Sequence, residues 1–402
     1  VGEDGAPAAV ESRPVTAEAP GPRRRIRVCH VITRLELGGA QQNTLHTVAH
    51  LDRRRFEPIL IAGAGGLLDE EARRIPDLPV TLLPELVRSV RPLRDLAALT
   101  KLTGLLRRLG PDVVHTHSSK AGILGRWAAH LAGVPIVVHT IHGFGFPAEQ
   151  GRLASWVFRT LERATSRVTT RFVAVARANV GTGLEHRLFT ADRTVLVRSG
   201  IPLGEFGAVA SGGRLRTELE LGPDAPLVGM VACLKPQKAP VDFVRVSRRV
   251  ADRVPAAHFV LVGDGELRGA VQAEVERLGL AARFHLLGWR RDVPAILADL
   301  DVFVLTSLWE GLPRAVPEAM ASGLPVVATW VDGIPEAVAD GITGYLARPH
   351  DAETMADRVA FLLQNPAEAR RLGEQGRRRV DDFDIDAMVR RQEALYEDLT
   401  AR

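Results

Sequence analysis

IRVCHVITRLELGGAQQNTLHTVAHL, residues Ile26 to Leu51, opens the ordered part of the chain. Its first seven residues, IRVCHVI, form a β-branched apolar run of strand length. A glycine-containing turn follows. QQNTLHTVAHL (Gln41 to Leu51) then carries apolar residues at helical spacing. Strand, glycine turn and helix in that order are the first half of a βαβ unit. The same rhythm continues outward through PILIA, PVTLL, DVVHT, PIVVHT and RFVAVA, with helical stretches between most of them. Such alternation predicts an α/β fold with a parallel sheet covered on both faces. The rhythm pauses in SGIPLGEFGAVASGG (Ser199 to Gly213), which has linker composition, and restarts with PLVGMV, HFVLVG, RFHLLG, DVFVL and PVVAT. The expected division is a disordered tail over residues 1–22, one α/β domain over 23–205 and a second over 206–382. In the remaining residues, 383–402, DIDAMVRRQEALYEDL (Asp384 to Leu399) reads as an amphipathic helix packing back across the cleft onto the first domain. Two open parallel sheets side by side place a ligand between them, against the C-terminal ends of their strands.

Composition narrows the function. The chain has 402 residues, of which 46% are apolar and 25% charged, so its bulk is neither fibrous nor disordered. No apolar run reaches membrane-spanning length, and the N-terminus has no signal-like apolar segment. Two cysteines, Cys29 and Cys233, make neither a disulfide framework nor a zinc site and fit a cytoplasmic location. Only four of the 52 basic residues are lysine: Lys101, Lys120, Lys235 and Lys238. The net charge of +4 allows an acidic substrate or an anionic membrane surface. No basic stripe interleaves with aromatic residues, so nucleic acid is not an expected partner.

Five stretches carry candidate chemistry. In LGGAQQNTL, Gly38 and Gly39 follow a strand and open a helix, where backbone N–H groups face an anion or simply serve the turn. In HTHSSKAGILGR, His115 and His117 share one strand face. Two histidines are not a metal site, and a pocket hydrogen-bonding role is the expected one. Lys120 lies in the first helical turn, where the dipole disfavours a cation, which hints at an anionic ligand. In HTIHGFGF, His142 lies at a strand end beside Gly143 and Gly145. GMVACLKPQKAP holds Lys235 and Lys238 in one loop, and a compact ammonium there suits a phosphate. The most specific stretch is EGLPRAVPEAMASGLPVVAT, Glu310 to Thr329. Pro313 and Pro317 restrict the helix start to Arg314 or just beyond. Glu310 then stands before the helix and Glu318 about one turn in, both expected to stay ionised by the dipole. Carboxylates of that kind accept hydrogen bonds from hydroxyls, and the N–H groups of Gly311 and Leu312 suit a phosphate. The pattern fits a polyhydroxyl ligand bearing phosphate.

With LVGDGEL (Leu261 to Leu267) and GIPEAVADGITGYL (Gly333 to Leu346), these stretches resemble the retaining glycosyltransferases of family four, which have the GT-B fold of two Rossmann-like domains. The likeness runs from Ile26 to about Leu399, and HTHSSKAGILGR with HTIHGF looks most like bacterial members that assemble capsular or related glycans. The resemblance implies that Glu318 holds the ribose hydroxyls of a UDP-sugar and Glu310 those of its sugar. Lys238 would neutralise the leaving diphosphate, and the amides of Gly39, Gly311 and Leu312 would line phosphate and sugar. His142 would stand beside the sugar, and LLGWRRDV (Leu286 to Val293) against the base. Gly38, His117 and Lys120 fall on the acceptor or phosphate side. The family's chemistry retains the anomeric configuration and needs no metal or other cofactor. The implied partners are a nucleotide sugar carrying a hexose or N-acetylhexosamine and an acceptor glycan, polyprenyl-linked sugar or small molecule.

Two positions depart from the family pattern. Cys233 stands where members carry arginine, and Pro317 replaces an aliphatic residue. Lys235, two positions after Cys233 on an extended segment, is the expected substitute cation. The arginines of LLRRLG and RVSRRV suggest loose peripheral contact with an anionic membrane. The competing functions are a GT-B sugar-nucleotide epimerase and a non-catalytic sugar-nucleotide-binding module.

Overall fold

The computed structural model describes residues 24–144, 151–207 and 212–402. The predicted tail over 1–22 and Gly145 lie outside the described residues. The first sheet comprises β1 (Ile26–Ile32), β2 (Phe56–Gly63), β3 (Val80–Leu83), β4 (Val113–His117), β5 (Ile136–Ile141), β6 (Arg171–Ala174) and β7 (Thr194–Leu196). Its order is β3-β2-β1-β4-β5-β6-β7, all parallel. The second sheet comprises β8 (Leu227–Val231), β9 (His258–Val262), β10 (Phe284–Gly288), β11 (Val302–Leu305), β12 (Val326–Thr329) and β13 (Gly344–Ala347). Its order is β10-β9-β8-β11-β12-β13, again parallel. Every strand named from the sequence is present. The two added by the structure, β7 and β13, are edge strands of three and four residues, too short to show a period.

Side chains alternate across a strand, so the register decides what each sheet face buries. On one face of the first sheet, Val28, Val113 and Val138 pack with Ile385, Met388, Val389, Leu395 and Tyr396. Those five belong to the helix Ile385–Thr400, whose buried positions recur at three- and four-residue spacing. Asp384 caps it by accepting from the Ala387 N–H at 2.7 Å. This helix thus docks on the first domain. The opposite face packs Cys29, Val31, Val114 and Val137 against helices Pro92–Leu109 and Ser119–Ala132.

The boundary expected between residues 205 and 206 cuts the helix Leu203–Gly207. That helix packs on Val293–Ala298 and Ala315–Ala321, so it belongs to the second domain. Among the described residues no helix is long and apolar enough to cross a membrane.

Candidate active site

The strand C-terminal ends of both domains face one open cleft of about 800 Å³. From the first domain it is lined by the Leu37–Gln42 turn, Glu71, His142 and Ser199. From the second come the ends of β8 and β9, Cys233, Lys235, Gln237, Lys238, Trp289, Arg290, Arg291, Glu310, Leu312, Arg314 and Glu318. Of the predicted site residues, Gly38, Gly39, His142, Lys235, Lys238, Glu310, Leu312 and Glu318 therefore share one wall-to-wall space.

Glu310 is 6% exposed. Its Oε1 accepts from Ser307 Oγ at 2.6 Å and pairs with Lys238 Nζ, while its Oε2 accepts from Gln237 Nε2 at 3.3 Å. The Glu310 N–H donates to Asp332 Oδ2 at 2.6 Å, which fixes the loop before the helix Ala315–Ala321. Lys238 is positioned by its own backbone, for the Thr306 hydroxyl lies 3.0 Å from the carbonyls of both Lys238 and Ala239. The result is a lysine held on a hydrogen-bonded carboxylate at the cleft wall.

Burial at Glu318 works against one expectation. The residue lies in the first turn of its helix as predicted, but burial pushes its carboxyl above the ordinary range, against the pull of Arg314 and with Glu205 adding to the rise. The helix has only seven residues and Glu318 is 8% exposed, so desolvation works against the support a helix N-terminus gives a carboxylate. Arg314 stands 3.3 Å from Glu318 and donates to Gln42 Oε1 of the first domain at 2.6 Å. A Cβ on Gly39 would lie 3.3 Å from Arg314 Cδ, so glycine there leaves room for the arginine's aliphatic stem.

Three other expectations shift. Gly311 is absent from the cleft lining; a Cβ on it would lie 2.2 Å from the His142 carbonyl oxygen. Glycine is required there by the close approach of the two domains. Lys120 also lies outside the cleft, paired with Asp95 at 2.5 Å and with the Ser89 carbonyl, so its helix-start charge is met from within the protein. His117 is buried behind the cleft wall, bonded to His142 at 3.2 Å and to His30 at 3.0 Å. Lys235 lines the cleft but meets Glu36 of the first domain at 3.3 Å, and Arg291 reaches Glu71 at 3.2 Å. Cys233 donates from Sγ to the Leu37 carbonyl at 3.3 Å, and burial raises its thiol pKa, so it contacts the opposite domain as a neutral group.

Sequence reasoning missed Ser307, Gln237, Asp332 and Arg314 as supports of the two glutamates. The position of Thr306 and Ser307 directly after the apolar run VFVL was their available signal. It also missed His30 and Tyr396. Among the described residues, His30, His115 and His117 bring ring nitrogens within 4.8 Å of one another, the spacing of a metal site.

Two parallel-sheet domains closing on a cleft of this kind define the GT-B fold. The structure of Anabaena HepE with UDP and glucose shares the fold, with a TM-score of 0.80 at 20% identity over 93% of this chain and all of that one. The chain belongs to the glycosyltransferase family that the two matching domains define: the glycosyl transferase 4-like domain over residues 38–200 and glycosyl transferases group 1 over 213–379. It is 33% identical to the UDP-Gal:α-D-GlcNAc-diphosphoundecaprenol α-1,3-galactosyltransferase of Escherichia coli, over 83% of this chain and 87% of that enzyme. It is 27% identical to the N,N'-diacetylbacillosaminyl-diphospho-undecaprenol α-1,3-N-acetylgalactosaminyltransferase of Campylobacter jejuni, over 82% and 89%.

Proposed function

We propose that this glycosyltransferase moves a hexose or N-acetylhexosamine from a UDP-sugar to a sugar carried on a polyprenyl diphosphate, with retention and without a divalent metal or other cofactor. The observation that carries this reading is the sharing of one cleft wall by two nearly buried glutamates and a lysine. Glu318 accepts from the ribose hydroxyls and Glu310 from hydroxyls of the donor sugar. Lys238 leaves Glu310 for the diphosphate as negative charge develops on it, aided by the amides of Gly39 and Leu312. A preorganised cation there stabilises the departing group more than the bound donor, which is what accelerates transfer. The released phosphate oxygen takes the acceptor's proton on the same face. Trp289 to Arg291 lie against the base. Lysine and arginine supply the positive charge along the cleft, which supports chemistry without metal.

A polyprenyl-linked acceptor fits the names of the two relatives and one surface of the first domain. Val90, Leu93 and Leu96 are 73%, 87% and 61% exposed, and Leu153 and Trp156 are 75% and 59% exposed. They lie at or near the starts of helices Pro92–Leu109 and Arg152–Ser166, which both pack on the helix Ser119–Ala132. A helix that follows a parallel strand begins at the cleft end of the sheet. Arg88, Arg91, Arg94 and Arg152 are exposed among these apolar residues, an arrangement suited to an anionic bilayer. The arginines of RVSRRV suit it less, since Arg245, Arg248 and Arg249 are paired with Glu274, Asp252 and Glu353.

The test is incubation with UDP-galactose, UDP-glucose and their N-acetylated forms, with N-acetylglucosaminyl-diphosphopolyprenol as acceptor, in EDTA. Expected are UDP release and an α-linked disaccharide lipid by mass and NMR. Epimerised or unchanged donor under every pairing defeats the reading. Activity lost in EDTA and restored by manganese defeats its metal-free step.

A further inference from the structure

The register of the first sheet sets His30 of β1 beside His115 of β4, and His117 beside Thr140 of β5. All four face the C-terminal helix, where Tyr396 and Gln392 are buried. The resulting hydrogen bonds form one unbroken line. Thr140 Oγ1 meets His115 Nε2 at 2.6 Å, and His115 Nδ1 meets the Tyr396 hydroxyl at 2.5 Å. That hydroxyl also meets Gln392 Oε1 at 3.3 Å and His30 Nε2 at 3.4 Å. His30 Nδ1 meets His117 Nε2 at 3.0 Å, and His117 Nδ1 meets His142 Nε2 at 3.2 Å, where the line reaches the cleft.

Proton counting gives this line a direction. Gln392 turns its Nε2 to Thr47 Oγ1 at 3.3 Å, so its oxygen faces Tyr396 and can only accept. Tyr396 has one hydroxyl proton, and giving it to Gln392 leaves no buried acceptor of this line bare. His30 Nε2 and His115 Nδ1 are then both donors to the tyrosine oxygen, which accepts two bonds. A neutral imidazole has one N–H, so His30 Nδ1 accepts from His117 Nε2, and His117 Nδ1 accepts from His142 Nε2. His142 is left with Nδ1 bare, and among the described residues no group bonds to that atom. The rings are neutral: burial lowers His30 to about 3 and His142 to about 4, and holds His115 and His117 well below the ordinary histidine range. All six nitrogens of His30, His115 and His117 are used in this way, which argues against a metal among them.

We infer that Gln392, Tyr396, His30 and His117 are positioning residues that fix His142 as its Nε2–H tautomer and present its Nδ1 to the cleft as a hydrogen-bond acceptor. Resting on the reading under Proposed function, this makes His142 a partner for a donor-sugar hydroxyl and a poor one for a carboxylate, so hexoses are favoured over hexuronic acids. It also ties the cleft to the last helix of the chain.

The test is a long-range 1H–15N correlation spectrum of the full chain labelled at histidine, with His142 assigned by its loss in His142→Gln. The wild type should show His142 protonated at Nε2. In Tyr396→Phe, His30 loses its acceptor and turns its proton to Nδ1, since a buried unpaired N–H is costlier than an unpaired lone pair. His117 and His142 should then reverse, and KM for the UDP-sugar should rise about three- to tenfold. Gln392→Leu, which frees the tyrosine proton and keeps the side chain's size, should give averaged signals for the same rings and guards against a misfolded tyrosine variant. Protonation of His142 at Nδ1 in the wild type overturns the inference. So does an unchanged tautomer in both variants, or stoichiometric zinc uptake that shifts all three buried rings. The spectrum needs no sugar donor, so an absence of transferase activity would strike the proposed function and leave the network standing.

Discussion

The two domains repeat one architecture and bury different things within it. In the second, apolar residues from Phe206 to Phe383 form a single continuous cluster, joined by Val175, Ala176 and Ile201 of the first, and its two central strands β8 and β11 carry no ionisable side chain. Polarity begins where those strands stop, at Thr306, Ser307 and Glu310. In the first, the core is divided into separate clusters on the two sheet faces. Its central strands carry His30, His115, His117 and His139 inside the sheet itself. Arg126, fully buried, crosses to Glu162 at 2.7 Å. A domain that recognises by strand ends keeps an inert core. A domain whose sheet face is wired to the cleft carries titratable groups through its core, and its stability becomes a function of pH.

Acid should separate the domains most. The buried histidines have folded-state pKa values depressed below 6.5 by desolvation, His30 to about 3 and His142 to about 4. Above pH 6.5 both folded and unfolded states hold them neutral, and stability is full. Below it the unfolded chain takes up protons that the folded one refuses, and each such histidine lowers stability by about 1.4 kcal/mol per pH unit until its folded pKa is passed. Calorimetry from pH 7.5 to 5 should show the first-domain transition falling steeply while the second moves less, its His258 and His285 being only partly buried. Parallel movement of both would erase the contrast.

Glu162→Ala should come next. It leaves the Arg126 guanidinium buried with only the Gly122 carbonyl at 2.7 Å and Thr169 at 3.4 Å, at a cost of about 3–5 kcal/mol. Denaturant unfolding followed domain by domain should place that loss in the first domain alone. On the other side, Lys238→Ala should lower kcat about 10²–10³-fold with little change in either transition, since the ammonium acts on developing charge. A raised KM at unchanged kcat would instead make Lys238 a ground-state binder. Glu318→Gln should act more mildly, raising KM for the nucleotide sugar through loss of a charged hydrogen bond of about 1.5–3 kcal/mol. Because its raised pKa brings protonation nearer to neutrality, donor affinity should also fall as pH is lowered, and should lose that dependence in the glutamine variant.

The contrast explains what the sequence displayed. Eleven strands stood out because apolar runs record burial locally; among the described residues β7 and β13, short and at sheet edges, did not. Glu310, Glu318 and Lys238 stood out because they lie in two short stretches that follow β11 and β8, where glycine and proline mark the turns. The first-domain network was illegible for the opposite reason. His115 and Tyr396 are 281 positions apart, and their meeting depends on sheet register and on where the last helix docks. His30 is a polar residue inside an apolar strand, and nothing in its own stretch marks it. Lys120 misled because a cation in a first helical turn suggests a ligand only when no carboxylate such as Asp95 reaches it.

The smallest expected effect bears on where the domains meet. Lys235 can be read as the cation replacing the arginine absent at Cys233, or as half of a contact with Glu36 that holds the domains together. The contact is 3.3 Å long and both side chains are about a quarter to a third exposed, at 26% and 31%. Pairs so placed contribute about 0.2–1 kcal/mol, a change of no more than about fivefold. The thiol of Cys233 meets the same first-domain turn at Leu37, so this loop approaches Glu36 whether or not Lys235 is charged. Lys235→Ala and Glu36→Ala should therefore each change kcat/KM by less than about fivefold, and the double variant should lose no more than the larger single one. The effects should shrink in high salt, as a screened surface pair requires. A loss of about 100-fold in Lys235→Ala with none in Glu36→Ala would mean that the lysine abandons Glu36 for the diphosphate. The second domain would then hold two mobile cations at its strand ends, and the first would contribute only shape to that side of the cleft.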